Sequence, residues 1–307
     1  MPATTRNLSS PRSAGASCAA PLAVALDYLA LTRPRITLMV ALTACPAMVL
    51  GHTGWPDAMT LVGVLLGIAL VGSGCSAINA WYERDLDALM PRTQDRPLPA
   101  GRVAPGEALG FGLLLSAAGI LVLHVAGGTL AALVGALTPV YYITVYTMWL
   151  KPRSAHNTVA GAVVGAAAPL IADAAVDGRI GPWGWVLFGI VFLWQPPHVW
   201  AIALYRKSEY AAAGIPMMPA VVGERGTRWR MLAWALALVP VTLVPWLGGV
   251  LGPAYAAAAL AGAALFLGSI VLAIRAGDPR ADRRVFIASL FYLATLFGVM
   301  LAEVVLG

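Results

Sequence analysis

Apolar runs close to 20 residues long recur down this chain, for example Ile36–Val49, Leu109–Ala126 and Leu232–Leu251. A helix needs about 20 such residues to cross the hydrocarbon core of a bilayer. Inside lipid every backbone amide must be bonded within the protein, so spanning segments are helices or a closed barrel. The runs are continuous and do not alternate, which excludes the barrel. With 11% charged residues against 60% apolar ones, the chain falls far from a soluble domain, which carries roughly 25% charge. The expected fold class is all-α, a polytopic membrane protein.

Nine spans are predicted, at about 36–54, 58–80, 106–125, 129–150, 157–175, 183–204, 231–250, 254–274 and 286–306, by the usual window reading. The placement of the basic residues supports that count. Arg6, Arg12, Arg33 and Arg35 precede the first span, and Arg84, Arg92, Arg96 and Arg102 lie in the second connection. Lys151 and Arg153 fall in the fourth. Arg206, Lys207, Arg225, Arg228 and Arg230 fall in the sixth, and Arg275, Arg280, Arg283 and Arg284 in the eighth. Nineteen of the 20 Lys and Arg thus share one side, with Arg179 alone on the other. Cytoplasmic enrichment of Lys and Arg puts the N-terminus inside and the C-terminus outside. The net charge of +6 is then a matter of topology, and no nucleic-acid partner is expected. Residues 1–30 read as a flexible cytoplasmic tail and 31–307 as a single transmembrane domain. Cys18, Cys45 and Cys75 fit no metal or redox spacing.

Charge this scarce is informative where it gathers. Asn79, Glu83 and Asp87 are spaced i, i+4, i+8 and share one helix face if the second span continues. Hard oxygen donors there suit Mg²⁺, which binds through one or two carboxylates plus substrate phosphates. Arg92 and Arg96 follow in a proline-bounded loop, and a guanidinium fork matches phosphate oxygens. Together they read as a diphosphate site. The plainer alternative is a solvated loop with internal ion pairs.

A second polar segment, Trp194-Gln-Pro-Pro-His198 through Glu209, runs from within the sixth span into the sixth connection. His198 and Glu209 are 11 residues apart, about three helical turns, and so share a face on a continuous helix. Pro196 and Pro197 predict a break or kink just before His198. His198 fits a general base, a haem-iron ligand or a packed structural histidine. Arg206 and Lys207 fit phosphate binding or simple cytoplasmic anchoring.

Four stretches together resemble the UbiA-type intramembrane prenyltransferases. They are Asp27-Tyr-Leu-Ala-Leu-Thr-Arg-Pro-Arg-Ile36, Asn79–Gly101, Lys151-Pro-Arg-Ser-Ala-His-Asn157 and Trp194–Pro219. Arg92-Thr-Gln-Asp-Arg-Pro97, Trp194-Gln-Pro-Pro-His198 and Ala213-Gly-Ile-Pro-Met217 resemble the haem-modifying branch. The family's Asn-x-x-x-Asp-x-x-x-Asp motif falls on Asn79, Glu83 and Asp87, with Glu in place of the first Asp. Glu209 also stands where Asp is usual, Ser208 where an acid is common, and Ala172 and Asp173 where a Gly–Trp pair is frequent.

The resemblance implies farnesyl diphosphate as donor, haem b as acceptor and Mg²⁺ as cofactor. It assigns Asn79, Glu83, Asp87, His198 and Glu209 to catalysis and Glu83, Asp87 and Glu209 to the metal. Arg35, Arg92, Arg96, Lys151 and Lys207 would hold diphosphate. It further implies a bacterial inner-membrane location, with the site on the cytoplasmic side and haem A synthase or terminal-oxidase assembly as neighbours. The competing expectations are a relative acting on an aromatic quinone precursor, a secondary transporter, and a non-catalytic assembly protein. Glu303, late in the last span, fits none of the expected roles.

Overall fold

The computed structural model describes residues 19–306 apart from 53, 213 and 215. Expectations for residues 1–18, Ala213 and Ile215 lie outside the described residues. The last part of the segment read as a tail is helical, Ala19–Leu31. It is tied down where Arg102 Nε donates to Asp27 Oδ1 at 3.0 Å.

Among the described residues seven helices are long and apolar enough to cross a membrane. One of them, Pro105–Leu150, is two spans. Along a straight helix Leu123 and Gly135 would be about 18 Å apart. Instead a Cβ at Gly135 would lie 2.5 Å from Leu123 Cδ1. The reversal is at Gly128 (φ 80°, ψ −179°), a backbone conformation open to glycine. Pro34–Val49 supplies one more apolar segment, so the described residues hold the nine spans expected.

The span ends follow from local chemistry. Proline stands at the first turn of the segments opening at Pro34, Pro105, Pro182 and Pro253, where its missing N–H costs nothing. Asp57 caps Ala58–Tyr82, accepting from Met59 N at 2.9 Å and Thr60 N at 3.0 Å. Two helices begin earlier than their apolar runs: the chain breaks at Gly223 (φ 75°, ψ 167°) within Met218–Leu247, so the seventh span's helix starts just after it against an expected 231, and Pro279–Leu306 starts before the expected 286. Hydropathy detects lipid contact. It is blind to the charged first turns that prolong a helix into water.

The second and third spans pack at glycine-to-glycine distance. A Cβ on Gly74 would sit 2.6 Å from Gly112 O and 2.2 Å from Ser116 Oγ. Small residues permit such approach where lipid gives helices no hydrophobic reason to associate. Trp200, Tyr255, Phe266, Met231 and Leu238 fill the interior, while Leu114, Leu137 and Leu265 face outward.

Two unexpected acids stabilise the fold. Glu303 accepts from Gly252 N (2.6 Å) and Tyr255 N (2.7 Å), capping the eighth span. Asp173 accepts from Gly181 N at 2.6 Å and faces His52 at 3.8 Å, closing a turn at the end opposite the basic residues.

Candidate active site

The ladder Asn79–Glu83–Asp87 survives a change of helix. The second span ends at Tyr82, and Glu83 (φ −92°, ψ 6°) joins it to the short helix Arg84–Asp87. The i→i+4 bonds continue, Glu83 N to Asn79 O at 2.9 Å and Asp87 N to Glu83 O at 2.8 Å. All three side chains therefore stay on one face, and all three are buried. Asp85 points away and is exposed.

Each of these residues meets a partner from elsewhere. Past Pro139 the fourth span widens into a π-type helix, Tyr141–Leu150, a distortion that often accompanies functional sites. It carries Tyr142, whose hydroxyl donates to Asn79 Oδ1 at 2.7 Å. Lys151 follows it and donates to Glu83 Oε1. Burial opposes the Lys151 charge, yet Tyr146 and Glu83 hold its pKa above the ordinary lysine value. Arg96 Nη1 donates to Asp87 Oδ2 at 2.7 Å, and Thr93 Oγ1 ties the loop to Asp87 O at 2.7 Å. Arg33, Asp87 and Arg96 line a cavity of about 290 Å³.

The sixth connection closes over the same rim. Arg92 Nε donates to Glu209 Oε2 at 3.2 Å, spanning 117 residues of sequence. Arg206 Nη1 lies 3.5 Å from the same oxygen. Burial raises the Tyr210 phenol, and Arg92, Lys151 and Tyr146 lie within electrostatic reach of it. The two acidic segments thus share one neighbourhood.

Several expectations need correction. Arg35 is exposed and is not in the cavity lining, where Arg33, two residues earlier, takes the inward position. Its left-handed backbone (φ 48°) turns the chain there. Lys207 donates to Glu224 at 3.1 Å and stays largely in solvent. No break occurs before His198. Pro182–Tyr205 is one helix through Pro196 and Pro197, both buried among neighbouring helices, a setting that tolerates proline in a span. The chain breaks instead at Arg206 (φ −115°, ψ 24°), where Lys207–Ala212 begins. The shared-face argument for His198 and Glu209 fails at that point.

His198 sits between Trp194 (ring centroids 4.3 Å) and Phe286 (4.8 Å). Ser289 Oγ donates to Phe286 O at 2.6 Å, so it accepts from His198 Nδ1 at 2.7 Å. This network assigns the proton to Nδ1 and leaves the Nε2 lone pair available.

Glu83, Asp87 and Glu209 do not form a metal cage. Among the described residues no group of three or more His, Cys, Asp or Glu is spaced to hold an ion. Carboxylates repel one another, and each here is neutralised by its own Lys or Arg. The donor set nevertheless fits Mg²⁺ arriving with a diphosphate. Hard oxygens lie beside Lys and Arg cations, and Asn79 Nδ2 is a buried donor with no acceptor, which a phosphate oxygen would satisfy. Sequence reasoning missed Arg33, Tyr142, Tyr146 and Tyr210. Only Arg33 left a signal, a basic residue directly before a helix-opening proline.

Comparison with known proteins agrees with this architecture. The pattern of the UbiA prenyltransferase family matches residues 38–296. A protoheme IX farnesyltransferase of Symbiobacterium thermophilum is 42% identical over 284 residues, covering 92% of this chain and 95% of that protein. One of Methylobacterium radiotolerans is 44% identical, covering 90% and 89%. A solved UbiA homologue from Archaeoglobus fulgidus, bound to GPP and Mg²⁺, superposes with a TM-score of 0.63 at 17% identity, over 89% of this chain and 99% of that one. A digeranylgeranylglyceryl phosphate synthase structure gives 0.78 at 14% identity, over 93% and 100%. This chain is therefore a multi-pass integral membrane protein that belongs to the UbiA prenyltransferase family.

Proposed function

We propose that the protein transfers the farnesyl group of farnesyl diphosphate to a vinyl group of haem b, with addition of water, releasing diphosphate. The observation that carries this reading is the meeting of two acid–base segments at one rim, seen in the Arg92–Glu209 bridge beside Glu83–Lys151 and Asp87–Arg96. The relatives named for this reaction supply the two substrates. Residues 31–307 are the catalytic unit. The charge asymmetry supports a site on the cytoplasmic face, and the membrane in this reading is the bacterial inner membrane.

Arg92, Arg96 and Lys151 turn from their carboxylates to diphosphate oxygens when the donor binds, and Arg33, already lining the cavity, joins them. Glu83, Asp87 and Glu209, so released, would hold Mg²⁺ together with the diphosphate oxygens, and the ion would supply charge neutralisation to the leaving group. Buried Asn79 donates to a phosphate oxygen, and Tyr142 fixes its amide. The allylic C–O bond breaks, and the spans keep water from the farnesyl cation. The vinyl π electrons form the new C–C bond. The resulting cation beside the porphyrin takes up water, whose proton passes to His198 Nε2. Glu303 as a helix cap supports this reading over a transporter, which would need ionisable groups free near the midplane.

The test is mass spectrometry of haem after incubating purified protein with both substrates and Mg²⁺. A farnesyl-plus-water mass gain is expected. Unmodified haem with folded protein would reject the reading, and modification of a quinone precursor instead would move the chain to another branch.

A further inference from the structure

We propose that the groove between the eighth and ninth spans binds one anionic phospholipid, with an acyl chain in the groove and the phosphate on Arg284. The groove encloses about 500 Å³ on the outer surface of the bundle. Ala258, Ala261 and Gly262 give it depth, and Leu265 and Phe291 form its walls. Arg284 is the one charged side chain in its lining. From Arg284 to Thr295, also in the lining, the ninth helix rises roughly 16 Å. The shape is a long apolar trough with a cation near one end.

Charge decides the occupant. Arg275, Arg280 and Arg283 stand on the same turn between spans as Arg284, and all four are exposed. Among the described residues none of the four has a carboxylate partner. The nearby acids are engaged elsewhere. Asp282 accepts both arms of Arg228, at 2.8 and 2.7 Å, and Asp278 Oδ1 accepts from Ala281 N at 2.8 Å. Four cations against the single unpaired carboxylate of Asp278 leave a net positive turn, which favours a headgroup carrying net negative charge over a zwitterion, whose own cation would face them. The face of the ninth helix opposite the groove carries Phe286 and Ser289, which hold His198. The lipid therefore lies behind the helix that positions His198, outside the proposed reaction pocket.

The experiment is native mass spectrometry of the full chain in micelles with equal phosphatidylglycerol and phosphatidylcholine. Wild-type protein should retain one phosphatidylglycerol preferentially. Arg284→Gln should cut that preference roughly fivefold, as expected for one arginine at a lipid surface. Ala261→Phe, which fills the groove from an exposed position, should remove the bound lipid whatever its headgroup. Equal retention of the two lipids, or retention unchanged in both variants, overturns the proposal. So does displacement of the lipid by haem b that depends on Arg284, or a dimer that replaces the lipid adduct.

Discussion

Replacing Asp87 by Asn separates the chemical use of this carboxylate from its part in the fold. The side chain is 3% exposed, and Oδ2 accepts from Arg96 at 2.7 Å. Asn keeps that shape and an acceptor oxygen. The main-chain bonds from Asp87 N to Glu83 O and from Thr93 Oγ1 to Asp87 O do not depend on the charge. The change in stability is the difference between a charge-assisted and a neutral hydrogen bond, on the order of 1 kcal/mol. Arg96 is 29% exposed and can re-solvate, which lowers that figure further. Against a typical stability of about 5–15 kcal/mol the protein stays folded. Catalysis should suffer more. Loss of one preorganised group that stabilises developing charge slows turnover about 10²–10³-fold. The assay is the rate of farnesylated haem formation at saturating farnesyl diphosphate, with thermal unfolding followed on the same sample. Turnover within about twofold of wild type would remove Asp87 from the reaction. A fall in rate matched by an equal loss of folded protein would reduce it to a structural residue.

Other expectations can be measured on the same preparation. EDTA should stop product formation and excess Mg²⁺ restore it; full activity in chelator would exclude metal dependence. His198→Ala should lower haem conversion while leaving the KM for farnesyl diphosphate near wild type, and parallel loss of both would make His198 a packing residue only. Asp282→Asn leaves the buried Arg228 guanidinium, 4% exposed, with only the longer contact to Glu224 at 3.5 Å, and should destabilise the fold toward the lower end of about 3–5 kcal/mol in thermal or denaturant unfolding. A change below about 1 kcal/mol would show that the pair is solvated in the membrane-bound protein.

How much of this was legible in the sequence depends on the range of the interaction that decides it. Spans are local: an apolar run either covers the bilayer or does not, and the basic residues mark one end of each. The ladder of Asn79, Glu83 and Asp87 is equally local, since three residues at a spacing of four stay on one face through a single loosened turn at Glu83. Arg33 and Arg35 could not be told apart in this way. Which of them enters the cavity rests on one backbone angle, φ 48° at Arg33, and periodicity carries no information about it. Pairings between distant residues were also hidden. Arg228 and Asp282 are 54 residues apart, and Glu303 caps a helix begun 50 residues earlier. Proline misled for a related reason. Pro196 and Pro197 break a helix in water, whereas helix-on-helix packing in a span holds them in line.

The pairings at the rim explain how a site can be built from carboxylates before any substrate arrives. Three carboxylates at one rim repel one another. Lys151, Arg96 and Arg92 each offset one of those charges, and the Lys151–Glu83 and Arg92–Glu209 pairs also tie the fourth and sixth connections to the second. In the proposed reaction a metal diphosphate would bring both a cation for the acids and an anion for the bases. Binding would then be an exchange of partners that leaves few charges unpaired at any stage, and it would call for movement of side chains more than of helices. The same exchange gives a reason for the long side chains here. Glu83 and Glu209 reach one methylene further than Asp, which under the proposed exchange would let them serve first a basic side chain and then a shared ion.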